Sequence, residues 1–202
     1  MIKKIISGGQ TGADQAALDA AIKLNLPHGG WIPHGRLTED GPLPNKYQLL
    51  EMPTEDYPAR TEKNVLEADG TLILSHGKVT GGSKLTQKLT KEHNKPCLHV
   101  DLTDQPVFYV ASDVYKWVLE NEIQVINVAG SRASKDPEIY EDTYNVIRGI
   151  LMLSIVKADP GDMPADYRID EYMDSLPAPK TIDEAVTRLM MELSAEDIAQ
   201  IA

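Results

Sequence analysis

Short β-branched segments alternate with helical segments through residues 1–157, and this alternation restricts the chain to few folds. Residues 3–7, 30–32 and 70–75 are predicted to be the first three strands. Two more strands are predicted at residues 97–101 and 124–129. Strands separated in this way favour an α/β fold, a Rossmann-like, doubly wound, mainly parallel sheet with helices on both faces.

The segments between these strands have helical patterns. Small alanines recur on one face of residues 14–24, which suits a helix lying close to a sheet. The other predicted helices cover residues 60–68, 82–93, 106–120 and 137–156. Residues 33–58 contain five prolines and are predicted to form a long loop, a feature that is often functional in compact domains.

The chain changes character after residue 157. Residues 158–180 are rich in proline and acids and are predicted to be a linker. Helix-capping patterns begin at Thr181 and Ser194 with an apolar stripe between them, which predicts a small helical hairpin over 181–202. A hairpin of this size cannot bury its own core, so we expect it to dock on the parent domain or on a second subunit of a homo-oligomer.

Composition excludes several classes of function. The net charge of −11 disfavours binding to nucleic acid. No apolar stretch is long enough to span a membrane, and the apolar run at the N-terminus is too short for a signal peptide. With Cys97 as the single cysteine and no metal-ligand spacing among the histidines, the sequence predicts a cytoplasmic protein without a metal site.

The first candidate site is the glycine-rich turn after the first strand. Glycines allow a ligand to approach the backbone closely, and the free amides at a helix start attract anions. Ser7 stands where a dinucleotide-binding motif has its first glycine, so the turn is not typical of NAD binding. Alternatively, the glycines only turn the chain and Thr11 or Asp14 caps the helix. The candidate ligand-binding residues are Gly8, Gly9, Gln10, Thr11, Gly12 and Asp14.

The second candidate site is the turn after the third strand, with Lys78 and Lys84 nearby. Two glycine-rich helix starts on adjacent strands predict one cleft that binds a small phosphorylated ligand. A simple cap by Ser83 is the alternative. The candidate residues at this turn are Gly81, Gly82, Ser83 and Thr86.

Polar residues elsewhere are predicted to converge on the same cleft. Some follow the fifth strand, some lie in the long loop, and some open the segment before Gly70. The carboxyl ends of parallel strands meet at one edge of the sheet, so residues that follow different strands come together there. These candidates are Arg36, Arg60, Glu62, Asn64, His76, Gly130, Ser131 and Arg132.

Several motifs together closely resemble the putative molybdenum carrier family. They are residues 6–21, 28–36, 39–42 and 60–65, followed in order by 69–73, 81–83 and 127–132. The resemblance implies a Rossmann-like fold related to the lysine-decarboxylase-like phosphoribohydrolases and to a molybdenum-cofactor carrier protein. It also implies molybdenum cofactor (molybdopterin) as a candidate ligand. Those hydrolases have a third glycine and a catalytic glutamate in the second turn, and residues 80–87 contain neither.

The leading hypothesis is therefore a binding or carrier protein for a phosphate-bearing heterocycle, either molybdopterin or a nucleotide. One rival is an enzyme that hydrolyses the N-glycosidic bond of a nucleotide with Glu62 or Asp14 as acid or base. A third hypothesis is a nucleotide-sensing module that signals through the C-terminal hairpin.

Overall fold

A computed structural model describes residues 1–103, 105 and 107–155 of the chain. Its strands are β1 (Lys4–Ser7), β2 (His28–Gly29), β3 (Trp31–Ile32), β4 (Leu37–Thr38), β5 (Gly41–Pro42), β6 (Leu50–Glu51), β7 (Gly70–Ser75), β8 (Cys97–Asp101) and β9 (Val125–Gly130). Its α-helices are α1 (Ala13–Lys23), α2 (Tyr57–Glu67), α3 (Gly81–Glu92), α4 (Val107–Glu120) and α5 (Ile139–Ile155). The linker predicted at 158–180 and the hairpin predicted at 181–202 lie outside the described residues.

Five strands form one parallel sheet in the order β2-β1-β9-β7-β8. The strand β9 comes last in the chain but lies in the middle of the sheet, between β1 and β7. The prediction that the two glycine-rich turns follow adjacent strands was therefore wrong, because β9 separates β1 from β7. The turns that follow these three strands therefore meet at one edge. This arrangement confirms the predicted Rossmann-like α/β class.

The two faces of the sheet differ in chemistry. Leu72 and Leu74 of β7 belong to the main hydrophobic core, together with residues of α1, α4 and α5. Alternate strand positions point to the opposite face, where Asn127 donates a 3.3 Å hydrogen bond to Thr71 and where α2 and α3 pack together. None of the helices in the described part of the chain has the length and apolar character that crossing a bilayer requires.

The second sheet strand is His28–Gly29, whereas the sequence predicted residues 30–32. Gly30 has a φ of 116°, which only glycine adopts readily, and this conformation turns the chain out of the sheet. The following strand, Trp31–Ile32, pairs instead with Leu50–Glu51 in a separate two-stranded sheet. The prediction of residues 30–32 as the second sheet strand was therefore wrong, because periodicity does not reveal a backbone angle.

The long loop after β3 is held by its own polar contacts. The Arg36 guanidinium donates hydrogen bonds to four carbonyl oxygens of this loop, those of Leu43, Pro44, Tyr47 and Leu49, at 2.8–3.3 Å. Asp19 of α1 accepts hydrogen bonds from Tyr47 at 2.9 Å and from Lys46 at 2.8 Å. The loop is thereby fixed to α1.

Candidate functional site

A cavity of about 580 Å³ lies at the carboxyl edge of the central strands. Its walls come from the turn after β1, from α2, from the start of α3 and from the turn after β9. Ligands of α/β sheets bind at this edge because helix starts and loop side chains converge there.

Most of the residues predicted from the sequence line this cavity. They come from both glycine-rich turns and from the two polar segments near residues 60 and 130, as the convergence argument predicted. The lining residues among the candidates are Gly8, Gln10, Asp14, Arg60, Asn64, His76, Gly81, Gly82, Ser83, Thr86, Gly130, Ser131 and Arg132.

Three candidates of the first turn are buried but are not among the residues that line the cavity. A Cβ atom on Gly9 would lie 2.8 Å from the side chain of Leu43, so this glycine lets the long loop pack on the turn. A Cβ atom on Gly12 would lie 2.5 Å from the Ser131 carbonyl oxygen. Thr11 donates a hydrogen bond to a carboxylate of the long loop. These residues shape the turn.

Two further candidates also lie outside the cavity lining. Arg36 is occupied by the carbonyl groups of the long loop. Glu62 lies on α2 with an oxygen 2.7 Å from the Nε2 atom of His93. Of the two acid or base candidates, Glu62 and Asp14, only Asp14 therefore lines the cavity.

The amides of the first turn are already bonded to protein atoms. The N–H of Gln10 donates to the Asp14 carboxylate at 3.2 Å, and the N–H of Thr11 donates to the Gln10 side chain at 3.0 Å. At the start of α1 the N–H of Ala13 donates to the Ser131 carbonyl at 3.2 Å. These three groups are not free for an anion, contrary to what the glycine pattern suggests.

The start of α3 is open by comparison. The amides of Gly81 and Gly82 precede the first hydrogen bond of the helix, which joins the Lys84 N–H to the Thr80 carbonyl. A Cβ atom on Gly82 would meet nothing within 4 Å. Ser83 donates a 2.9 Å hydrogen bond to the Gly130 carbonyl and fixes the helix start against β9. Such a start presents N–H groups and a positive dipole to an anion.

Four cationic side chains line the cavity: Arg60, Lys78, Arg132 and Lys135. None of them forms a salt bridge with another residue of the described part of the chain. The Nε atom of Arg60 is enclosed and has no hydrogen-bond partner there. Unpaired cations held together in this way favour an anionic ligand.

Asp14 is the buried carboxyl group of the cavity. Burial raises its pKa to about 6, against the opposing positive charge of Arg60 and the hydrogen bond from the Gln10 N–H. At neutral pH the group is mostly ionised, and a small change in its surroundings is enough to protonate it.

Glu39 ties the long loop to the first turn and to the turn after β9. Its carboxylate accepts hydrogen bonds from the Thr11 hydroxyl and from the Ser134 hydroxyl and N–H, the last two at 2.6 Å and 3.1 Å. Although burial opposes this effect, the hydrogen bonds from Ser134 and Thr11 lower the pKa of Glu39. The clamp holds the segment around Arg132 against the first turn.

His76 lies between two aspartates at the end of β7. Its Nδ1 atom is 3.0 Å from Asp136, and its Nε2 atom is 3.1 Å from Asp142. Although burial lowers it, the hydrogen bonds and charges of Asp136 and Asp142 raise the pKa of His76 above its ordinary value. Both ring nitrogens donate in the protonated form, so His76 serves to hold β7 against the start of α5.

We expect the pairing of His76 with Asp136 and Asp142 to stabilise the fold more at low pH than at high pH. A pKa raised on folding contributes stability that is complete below the unfolded value of 6.5 and is lost as the pH rises through the folded value. Urea unfolding of the native chain and of His76→Gln should differ more at pH 5.5 than at pH 9. The control is His34→Gln, which removes an exposed pair with Glu51 and should change little. A stability difference between the native chain and His76→Gln that does not change with pH would contradict a charged His76.

The sequence interpretation missed several lining residues: Tyr57, Thr61, Lys135, Asp136 and Glu138. A signal for the first two was present, because Tyr57, Arg60, Thr61 and Asn64 have the i, i+3, i+4, i+7 spacing of one helix face. The Tyr57 ring lies 5.7 Å from the Arg60 guanidinium carbon and 6.0 Å from that of Arg132. The other three residues lie beyond the Gly130 turn, where no pattern marks them.

Comparison with known proteins places this cavity within the part of the chain that resembles them. A model of the family described as "Circularly permutated YpsA SLOG family" matches residues 5–151. A solved structure from Syntrophus aciditrophicus SB, titled "Putative molybdenum carrier protein", is 56% identical, with a TM-score of 0.73. The match covers 74% of this chain and 95% of that one. No curated protein matches the chain. Every residue that lines the cavity falls within the stretch that the family model matches.

Proposed function

Because this chain belongs to the circularly permutated YpsA SLOG family of putative molybdenum carrier proteins, we propose that it binds and carries a small phosphate-bearing ligand in the cavity described above. The observation that carries this proposal is the set of four cations without salt bridges around one cavity. The overall charge of the chain is −11, so these cations are a local concentration of positive charge in a lining that also contains Asp14, Asp136 and Glu138.

The phosphate belongs at the start of α3. Gly81 and Gly82 offer amides there, and the Nζ atom of Lys135 lies 3.8 Å from the position that a Cβ atom on Gly81 would take. Lys78, three residues before Gly81, also lines the cavity. Backbone amides combined with mobile ammonium groups are a common phosphate-binding arrangement. In the first turn the amides of Gln10, Thr11 and Ala13 are bonded to protein atoms, so this turn is better suited to the ring of the ligand than to its phosphate.

Molybdenum cofactor fits this donor set through its phosphate and its ring. Gly82, Lys78 and Lys135 would hold the phosphate, and Tyr57 offers an aromatic surface to the pterin. The cofactor would supply its own sulfur ligands for the metal. No group of three histidine, cysteine or carboxylate side chains that could hold a metal occurs in the described ranges. Cys97 is not among the lining residues, and burial raises the pKa of its thiol.

The proposal is tested by the dependence of binding on phosphate. Isothermal titration calorimetry of the full chain should show binding of guanosine 5′-monophosphate and at least about tenfold weaker binding of guanosine. Mass spectrometry of protein purified from its native host should show a retained phosphorylated heterocycle. Equal affinities for the nucleotide and the nucleoside would contradict a phosphate site.

The variant Gly82→Val should lose the phosphate site without unfolding. The side chain would extend into open space at the helix start, where it would cover the free amides. We expect guanosine monophosphate affinity to fall at least about tenfold with little change in melting temperature. Gln87→Val places the same residue on α3 away from the cavity and is the matched control. Unchanged affinity in Gly82→Val would place the phosphate elsewhere.

A further inference from the structure

We infer that Asp14 and Arg60 together select a ligand ring that carries a lactam, an N–H group beside a carbonyl. This inference rests on the proposed function and identifies the class of heterocycle that the cavity accepts. Asp14 would accept the hydrogen bond from the ring N–H, and Arg60 would donate to the adjacent carbonyl oxygen. The lactam is shared by the purine bases guanine and hypoxanthine and by pterins.

The two side chains flank the same glycine. A Cβ atom on Gly8 would lie 1.7 Å from the Nη1 atom of Arg60 and 2.9 Å from the Oδ2 atom of Asp14. A carboxylate and a guanidinium therefore lie side by side in space that only glycine leaves open. Both line the cavity, Asp14 from α1 and Arg60 from α2, whereas the open amides belong to α3.

These groups are adjacent but not paired. The Asp14 carboxylate and the Arg60 guanidinium form no salt bridge within 4 Å, although they carry opposite charges in one wall. The enclosed Nε atom of Arg60 has no partner among the described residues. An enclosed polar atom without a partner is costly, which favours a ligand that supplies the missing acceptor.

The neighbours of the pair support recognition of a ring. Tyr57 lies against the Arg60 guanidinium and presents an aromatic surface in the same wall. Asn64 is committed to the backbone of Trp31 through bonds of 2.8 Å and 3.1 Å, so its amide does not compete for the ring edge. Asp14 and Arg60 therefore remain as an acceptor and a donor side by side in this wall.

The order of donor and acceptor selects between ring types. A lactam presents N–H to the carboxylate and C=O to the guanidinium, and both hydrogen bonds are charge-assisted. Adenine presents a ring nitrogen acceptor beside an amino donor. In the orientation that the lactam takes, the adenine amino group would face the guanidinium, donor against donor. Its ring nitrogen would face the carboxylate, acceptor against acceptor. A site built to hydrogen-bond one edge rejects the other strongly because buried groups are left unpaired.

Inosine and adenosine 5′-monophosphates test the inference, because their six-membered rings differ only in this edge. Calorimetric titration of the full chain at pH 7.5, above the Asp14 pKa of about 6, should show at least about tenfold tighter binding of the inosine nucleotide. In Asp14→Asn the ratio of the two affinities should approach one. Asp113→Asn makes the same change on α4, outside the cavity lining, and should leave the ratio unchanged.

The ratio separates recognition from a structural role, since a merely misfolded site would weaken both nucleotides equally. Equal affinities in the native protein, with binding still dependent on phosphate, would overturn the lactam inference and leave the proposed function intact. Failure of every phosphorylated probe to bind would overturn both. Comparing guanosine monophosphate with 6-hydroxymethylpterin phosphate identifies the source of the lactam. Tighter binding of either, combined with the preference for inosine monophosphate, supports the inference.

Discussion

Replacing Arg60 with methionine is expected to lower the affinity for guanosine 5′-monophosphate by at least about 100-fold, since charge-assisted hydrogen bonds in an enclosed site contribute strongly. Arg60 is the cation of the cavity whose Nε atom is enclosed, so water screens it least. Its loss also removes the positive charge that opposes the rise in the pKa of Asp14, so that pKa rises further and less of the carboxylate that accepts the ring N–H is ionised. Isothermal titration calorimetry at pH 7.5 measures the effect.

The control for this variant is Lys88→Met, which removes a cation from α3 outside the cavity. Lys88 forms an exposed pair with Glu92 at 3.2 Å, so its loss should leave the affinity unchanged within about twofold. Circular dichroism of Arg60→Met should show the native helix content. A folded Arg60→Met protein with native affinity would mean that the ligand ring does not bind to Arg60.

The fold could be predicted from the sequence because each strand and helix carries a local signal. Residues 70–75 were predicted as a buried strand and are buried throughout in the structure. Helix α2 was predicted to begin at residue 60 and begins at Tyr57, since Pro58 is well tolerated in the first turn of a helix. The second sheet strand was misplaced because the φ of Gly30 depends on contact with Ser7, which no local pattern encodes.

The site could be predicted in outline but not in detail. The convergence of the Gly8, Gly81 and Gly130 segments follows from parallel strands ending at one edge, and their residues do line one cavity. The difference between the two glycine turns could not be predicted. It depends on which amides find partners in the folded protein: the Asp14 and Gln10 side chains occupy two amides of the first turn, and the distant Ser131 carbonyl occupies that of Ala13.

The glycines therefore have different structural roles in the two turns. At α3 they leave space and free amides for a ligand. At the first turn Gly9 and Gly12 allow other parts of the protein to approach, while Gly8 makes room for Arg60 and Asp14. In the proposed function, similar glycine patterns would therefore serve phosphate binding in one turn and the assembly of the cavity wall in the other. The hairpin predicted at 181–202 and the predicted homo-oligomer stay predictions.

Replacing Gly30 with alanine is expected to destabilise the fold by about 4 kcal/mol, the sum of backbone strain and overpacking. Its φ of 116° is unfavourable for any residue with a Cβ atom, and that atom would lie 2.2 Å from the Ser7 carbonyl oxygen. The displaced backbone belongs to β1 and leads into the first turn. The loss should therefore reduce ligand affinity in the fraction that still folds. Urea unfolding followed by circular dichroism measures the change in the free energy of unfolding.

Gly41→Ala separates the two contributions. Gly41 has a similar φ of 99°, but a Cβ atom there meets nothing within 4 Å. This variant should cost about 1–2 kcal/mol, from strain alone. If Gly30→Ala costs no more than Gly41→Ala, the contact with Ser7 relaxes freely and β1 is not held in place by it. A clearly larger cost in Gly30→Ala means that close packing against Ser7 fixes the direction in which β1 delivers Gly8, and with it Arg60 and Asp14, to the cavity.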